Sequence, residues 1–452
     1  MVGRFLILFY TENLKVLPHQ IALAQPLIKL LDAATDPIVG HLSDRTGGRM
    51  GRRKPYILFG SVLLAAIFIT IWSPQYVLFG VGQLTVLHFF AFFCVMKFLY
   101  YMAHTICVVP YQALGMELSA DYVERTRVQR IRHLVAIPAP LLGVWFYQWV
   151  VSQSPPSPEE QGAAVGLFAS EEQGMAISAI IIGVILFVAA SVTTFGTREP
   201  VAISAEKQKL GIINATKITF GNRPFLFLLL CSFSFAMVHY FTVIFTPYLI
   251  IHGMFDGSRA EFAKLLFQAT LLTTVVMTAL NFAVRHWAGS VNKKRMLVLF
   301  MLVGATAPLV TLIAFDPDAP KLYFLFAVVI IIGYTGIDIL ALSIIADICD
   351  VDEVRTGQRR QGVLAGIYNG VYKAGQMLSP MVSMLLLGWS GYDALLEEQT
   401  PDTIRNLRVM LFTVVLVMTA AALVFALLIQ LRQKDVGDAQ AELARRRETD
   451  NL

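Results

Sequence analysis

The sequence predicts an all-α membrane protein made of two six-helix halves, and three observations carry that prediction. Of the 452 residues, 56% are hydrophobic and only 15% are charged, against about 25% charged in an ordinary soluble domain. Apolar runs long enough to span a bilayer core, about 20 helical residues for about 30 Å, recur along the chain. One long hydrophilic stretch, 196–223, divides these runs into two comparable sets. So apolar a composition excludes a water-soluble enzyme, a nucleic-acid binder, a disordered chain and a small disulfide scaffold.

Taken in order, the runs fall at 20–43, 55–73, 87–115, 132–151, 173–195, 224–250, 263–286, 296–315, 322–347, 362–389 and 406–431. A further apolar stretch, Phe5 to Tyr10, is too short to span, so the first helix reads as incomplete. The domains expected are a first bundle over 1–195, a middle loop over 196–223, a second bundle over 224–431 and a tail over 432–452. Pro37, Pro110, Pro138, Pro140, Pro247 and Pro380 fall inside runs and mark expected helix breaks, which membrane helices tolerate when neighbours re-satisfy the freed backbone groups. Cys94, Cys107, Cys231 and Cys349 lie in or beside apolar runs without metal-type spacing and read as reduced core residues.

Lys and Arg decide orientation. Loops on one side, together with the tail from Arg432, hold 25 of them, and the opposite loops hold six: Lys15, Arg259, Lys264, Lys321, Arg405 and Arg408. The basic side, and with it the C-terminus, is expected in the cytoplasm. The two halves echo one another. Asp121 and Glu124 follow the fourth span and precede Arg125, Arg127 and Arg130, while Asp350 and Glu353 follow the tenth and precede Arg355, Arg359 and Arg360. Such a repeat of a six-helix unit is the arrangement of major-facilitator transporters.

Charges inside spans cost about 2.5–3.5 kcal/mol each and require a reason. In the second span Lys29, Asp32 and Asp36 share one stripe about 60° wide at 100° per residue, with Thr35 beside it. Two carboxylates one turn apart repel unless a cation or a shared proton joins them. Two readings fit: a cation site, or a structural Lys29–Asp32 pair with Asp36 capping a break at Pro37. Lys373 is the other costly charge, with Asn369 and Gln376 a turn to either side. Asp338, nine residues before Asp347, lies about 14 Å from the end of the tenth span and reads as a polar substrate anchor or as a structural partner of Lys373. His239 reads as a core histidine, and Lys97 as a side chain that snorkels to the outer interface. Tyr101, Trp145, Tyr240, Tyr368 and Tyr372 read as packing aromatics that could also stack on a sugar.

The motifs Asp32-Ala33-Ala34-Thr35-Asp36-Pro37-Ile38-Val39-Gly40, Asp44-Arg45, Gly51-Arg52-Arg53-Lys54-Pro55-Tyr56, Val109-Pro110-Tyr111-Gln112, Asp121 with Glu124-Arg125-Thr126, and Ala346-Asp347 through Asp350, Glu353 and Arg359 occur in this order. The pattern resembles the glycoside–pentoside–hexuronide:cation symporter family of the major facilitator superfamily. The resemblance implies two helix bundles around a central cavity. It also implies a coupling ion, Na⁺ or H⁺, at Asp32 and Asp36 with Thr35 and Thr105, and no other cofactor. The resemblance implies a substrate contact at Lys373, with Asn369 and Gln376 a turn to either side, and one at Arg132; Gln112 stands where the family has an aromatic, and Tyr372 and the additional acid Asp338 are further expected substrate residues. Asp44, Arg45, Arg52, Asp121, Arg125, Asp350, Glu353 and Arg359 are implied as gating residues, pairing across the halves when the cytoplasmic side closes. The acid that grips sugar in the family's fourth helix is replaced by Val108.

The function expected is cation-coupled symport of a sugar or glycoside by alternating access, in a monomer lying in a bacterial inner membrane. Two alternatives stand beside it. One is cation-coupled transport of a lysolipid, which the loss of the acid at Val108 favours; the other is a membrane receptor or scaffold that does not transport. No nucleophile–base pair, metal cluster or phosphate loop at motif spacing points to an enzyme, and no nucleic-acid partner is expected.

Overall fold

The structure, a computed structural model, describes all residues except 1–3, 47–49, 79–84, 118–130, 133–134, 156–166, 198–220, 288–291, 357–360, 397, 432 and 451–452. Every regular element among the described residues is helical. In chain order these are α1 (Arg4–Leu8), α2 (Pro18–Arg45), α3 (Lys54–Ile71), α4 (Val86–Glu117), α5 (Ala139–Ser152), α6 (Glu171–Gly196), α7 (Arg223–Met254) and α8 (Arg259–Trp287). They are followed by α9 in two pieces (Lys293–Gly304 and Ala307–Ala314), α10 (Tyr323–Thr356), α11 (Gln361–Trp389), α12 (Pro401–Leu428) and α13 (Gln433–Asp450). Eight helical segments among the described residues are long and apolar enough to cross a membrane. All eleven apolar runs coincide with helices.

Not every proline breaks its helix. α4, α7 and α11 continue past Pro110, Pro247 and Pro380, and α2 runs unbroken across position 37. One missing N–H leaves the remaining ladder intact when packing holds the flanking turns. The run 132–151 does break: residues 137–138 form a turn and α5 starts at Ala139, with Pro140 in its first turn, where no N–H is required. A break outside the expected set divides α9 after Gly304, and the chain restarts with Pro308 in the first turn.

The chain forms two compact units. One comprises residues 1–205, 255–270 and 387–399, and the other 206–254, 271–386 and 400–452. In the first, the short N-terminal element is core. After α1 the chain continues as a π-turn, Phe9–Asn13, and Leu6, Tyr10 and Thr11 are wholly buried. Phe5 stacks on Tyr147 of α5 at 4.4 Å, and the Tyr10 hydroxyl donates to the Ile71 carbonyl at 2.8 Å. α3 and α4 approach closely at Gly60, where a Cβ would come within 2.7 Å of the Cys107 backbone nitrogen. Small residues permit such crossings in membrane helices.

In the second unit α7 is the buried centre. Ser379 of α11 donates to the Met237 carbonyl at 2.9 Å, and Gly304 and Gly333 leave room for the Phe235 ring. The tail forms the helix α13. Its Ala439 and Leu443 are buried, and Gln440 Nε2 donates to Asp350 Oδ2 at 3.1 Å.

Candidate cation site and substrate-facing residues

α2 begins with Pro18 after an extended Leu17, which suits a residue without an N–H. Its positions 25, 29, 32 and 36 repeat at three- and four-residue steps and so share one face. On α4, positions 97, 101 and 105 do the same. The two faces meet rung by rung. Lys97 Nζ donates to Gln25 Oε1 at 2.8 Å, and Lys29 Nζ lies 3.6 Å from the centre of the Tyr101 ring. Thr105 Oγ1 stands 3.2 Å from Asp32 Oδ1 and 2.9 Å from Asp36 Oδ1.

The last rung brings two carboxylates to one hydroxyl. A threonine hydroxyl has one proton, so it donates to one carboxylate and turns a lone pair toward the other. Two carboxylates converging on one hydroxyl need positive charge between them. Lys29 supplies part of it, at 3.4 Å from Asp32 Oδ2, a long contact shared with the Tyr101 ring. Thr35 spends its proton on its own helix, donating to the Asp32 carbonyl at 2.8 Å, and keeps oxygen lone pairs for a ligand. The donor set is hard oxygen, suited to Na⁺ or to a proton. Among the described residues no group of three or more His, Cys, Asp or Glu has the arrangement of a tightly held metal.

The remaining expected residues are distributed as follows. In the second unit Tyr372 donates to Tyr334 at 3.0 Å, Gln376 Nε2 donates to the Tyr240 hydroxyl at 2.7 Å, and the His239 ring stacks on Tyr334 at 4.1 Å. α7, α10 and α11 therefore build one polar aromatic cluster. Asp338 lies one turn beyond Tyr334, and Asn369 and Lys373 flank Tyr372; all three side chains are exposed. In the first unit Gln112 is exposed and Arg132 lies over the Tyr111 ring at 5.0 Å. Of the gating set, Asp350 meets the tail helix, and Arg52 and Glu353 are half-buried. Asp121, Arg125 and Arg359 lie outside the described residues, as do the side chains of Asp44 and Arg45.

Lys97 corrects one expectation. It does not snorkel: it is 1% exposed, held inward by Gln25. Two ion clusters were not legible in the sequence. Lys293, counted as a loop base, reaches Asp347 of α10 at 2.7 Å. Arg259, at the start of α8, reaches Glu171 at 2.7 Å and Glu12 at 3.6 Å, and donates to Asn13 Oδ1 at 3.0 Å; the Tyr392 hydroxyl also donates to Glu12. The repeating spacing of 25–29–32–36 against 97–101–105 was a readable signal for the α2–α4 ladder. Arg259 and Glu12 are 247 positions apart and offered none.

The helical architecture and the charged ladder within it define a membrane transporter of the major-facilitator type. Solved structures of that type share the fold. A bacterial homologue of the human lysosomal transporter Spinster, inward-facing and unoccupied, superposes with a TM-score of 0.67 at 13% identity over 96% of this chain and 93% of its own. The D-xylose–proton symporter does so at 0.61 and 12% identity, over 94% and 92%. The chain belongs to the MFS/sugar transport protein family, which it matches over residues 1–433. An uncharacterized symporter of Synechocystis, sll1374, is 25% identical, covering 86% of this chain and 82% of its own length. YagG of Escherichia coli, provisionally named a glycoside/cation symporter, is 23% identical over 93% and 85%. The sodium-dependent lysophosphatidylcholine symporter 1 of Gallus gallus is 23% identical over 86% and 75%.

Proposed function

We propose that this transporter moves a sugar or glycoside across a bacterial inner membrane together with one Na⁺ or H⁺ bound at Asp32 and Asp36. The convergence of both carboxylates on the single hydroxyl of Thr105 carries this reading. Without an added positive charge the pair disfavours the rearrangement that exposes the site to the other side; with the ion and substrate bound, the rearrangement is permitted. One cation crossing about 100 mV supplies about 2.3 kcal/mol, enough for a roughly fifty-fold gradient of cargo. Lys29 occupies Asp32 between ions and yields it to the incoming one. The aromatic cluster of Tyr334, Tyr372 and Tyr240, with Gln376, Asn369, Lys373 and Asp338 around it, offers ring faces and hydrogen-bonding groups that suit a sugar. The name of YagG supports the same cargo class.

A second cargo, a lysolipid, is supported by the name of the lysophosphatidylcholine relative and by Val108, where the family's sugar carriers place an acid. Uptake by proteoliposomes separates the two. A labelled galactoside and a labelled lysophospholipid are offered under an inward Na⁺ or H⁺ gradient, with the wild type and with Asp32→Asn and Asp36→Asn. Sugar accumulation that needs the gradient and is lost in both variants is the expected result. Accumulation of lysophospholipid alone replaces the cargo, and undiminished ion dependence in both amides refutes the site.

A further inference from the structure

The buried lysine of α4 is the charge that the proposed ion site does not use. Lys97 is 1% exposed. Its partners are the Gln25 side-chain oxygen at 2.8 Å and the Phe93 ring, whose centre is 4.9 Å away. Among the described residues it has no acidic partner at ion-pair distance. The groups facing it are few. α2 brings Gln25 and Lys29, whose charge is of like sign. Its own helix brings Cys94 and Tyr101, and the π-turn after α1 brings Tyr10, whose ring lies 4.9 Å from Phe93. The titratable residues of α3, Lys54 and Tyr56, are at its other end, beside Ile57, which packs on Leu114.

A permanent ammonium here would exchange its hydration for one amide oxygen and one ring face, against a like charge; a neutral amine bears no such penalty.

We propose that Lys97 is a proton-exchange site of the transport cycle. Its amine is neutral in this conformation, takes up a proton in a conformation that wets the Gln25 rung, and in that charged form opposes the cation at Asp32 and Asp36. The proton comes from and returns to water, so no other reactant is needed. The link to the acidic pair rests on the cation reading above. Eight residues separate Lys97 from Thr105, about 12 Å along the helix at 1.5 Å per residue. At an effective dielectric of about 20, a unit charge at that distance changes cation affinity about tenfold.

Two measurements on the purified full-length protein in detergent test this, with Lys97→Met and Lys97→Gln as variants. The first uses sodium-free buffer and does not depend on the cation site. An unfolded lysine binds a proton that the buried amine does not, so wild-type stability rises with pH toward the ordinary lysine range of about 10.4, and the variants lose that rise. Equal slopes in wild type and variants overturn the proposal, whether or not Na⁺ binds. The second is calorimetric titration with NaCl in buffers of different ionisation heat. Wild-type Na⁺ affinity is expected to weaken from high to low pH about tenfold more than in the variants, which keep only the pH dependence of the acidic pair, and fewer protons are expected to be released on binding in the variants. Variants that keep the wild-type pH profile and proton count overturn the coupling. If NaCl gives no binding heat in wild type, the cation reading fails while the first measurement still decides the fate of Lys97.

Discussion

Two places in the first unit hold two carboxylates and one basic side chain each, and their construction differs. In the Arg259 cluster, the guanidinium touches both Glu171 and Glu12, donates to Asn13 and to the Glu12 carbonyl, and Tyr392 adds a hydroxyl. Glu12 is 4% exposed, accepts from Tyr392 and has the Arg259 guanidinium 3.6 Å away. In the α2–α4 ladder, Asp32 and Asp36 share one hydroxyl proton, and Lys29 reaches one of them at 3.4 Å while lying on a ring. The charge inventories are the same. What separates the structural clasp from the proposed ion site is the basic group: a planar, multidentate Arg in the first and a point-charged, mobile Lys in the second. Gly391, with φ of 88°, lies in the left-handed region and turns the chain just before Tyr392, so the clasp is also backed by backbone geometry.

Breaking the clasp gives the largest expected effect. Arg259→Ala leaves Glu12 and Glu171 buried or nearly so without their cation, and is expected to cost about 3–5 kcal/mol of stability, read as a lowered melting temperature in detergent. Cation affinity in the surviving folded fraction should change little. Smaller, and confined to the ladder, is Thr105→Val. It removes the one hydroxyl on which the carboxylates converge and should weaken cation binding about tenfold, with Thr105→Ser retaining it, as titration calorimetry would show. Smallest in stability is Lys29→Met. A partly exposed pair of this kind contributes about 1 kcal/mol or less, so the melting temperature should hardly move while cation affinity rises as the internal competitor is lost. A large destabilisation on losing Lys29 would mean that the ladder is a second structural clasp, and the contrast drawn here would fail.

Much of the fold was legible because span length is set by bilayer thickness and any water-facing alternative is excluded by composition. The stripe of Lys29, Asp32 and Asp36 was legible for the same reason: charges in a span stand out against an apolar background. Lys97 was misread because sequence shows depth along a helix but not which neighbour faces it; Gln25 decides that. The prolines were misread in a similar way. Pro110 and Pro247 look like breaks in one dimension, yet packing on both sides of them keeps α4 and α7 continuous.

By itself the sequence determined that the chain is a bundle of membrane-crossing helices with an acidic pair in the second and a lysine in the eleventh, since hydrophobic length and helical periodicity are local properties. Only the tertiary structure decided which charges meet. Residues 12, 171, 259 and 392 converge, Thr105 comes to stand between two carboxylates, and Lys97 faces an amide instead of water. Those choices depend on how helices far apart in the chain pack together, and the energy of a buried charge depends on its nearest neighbours in space.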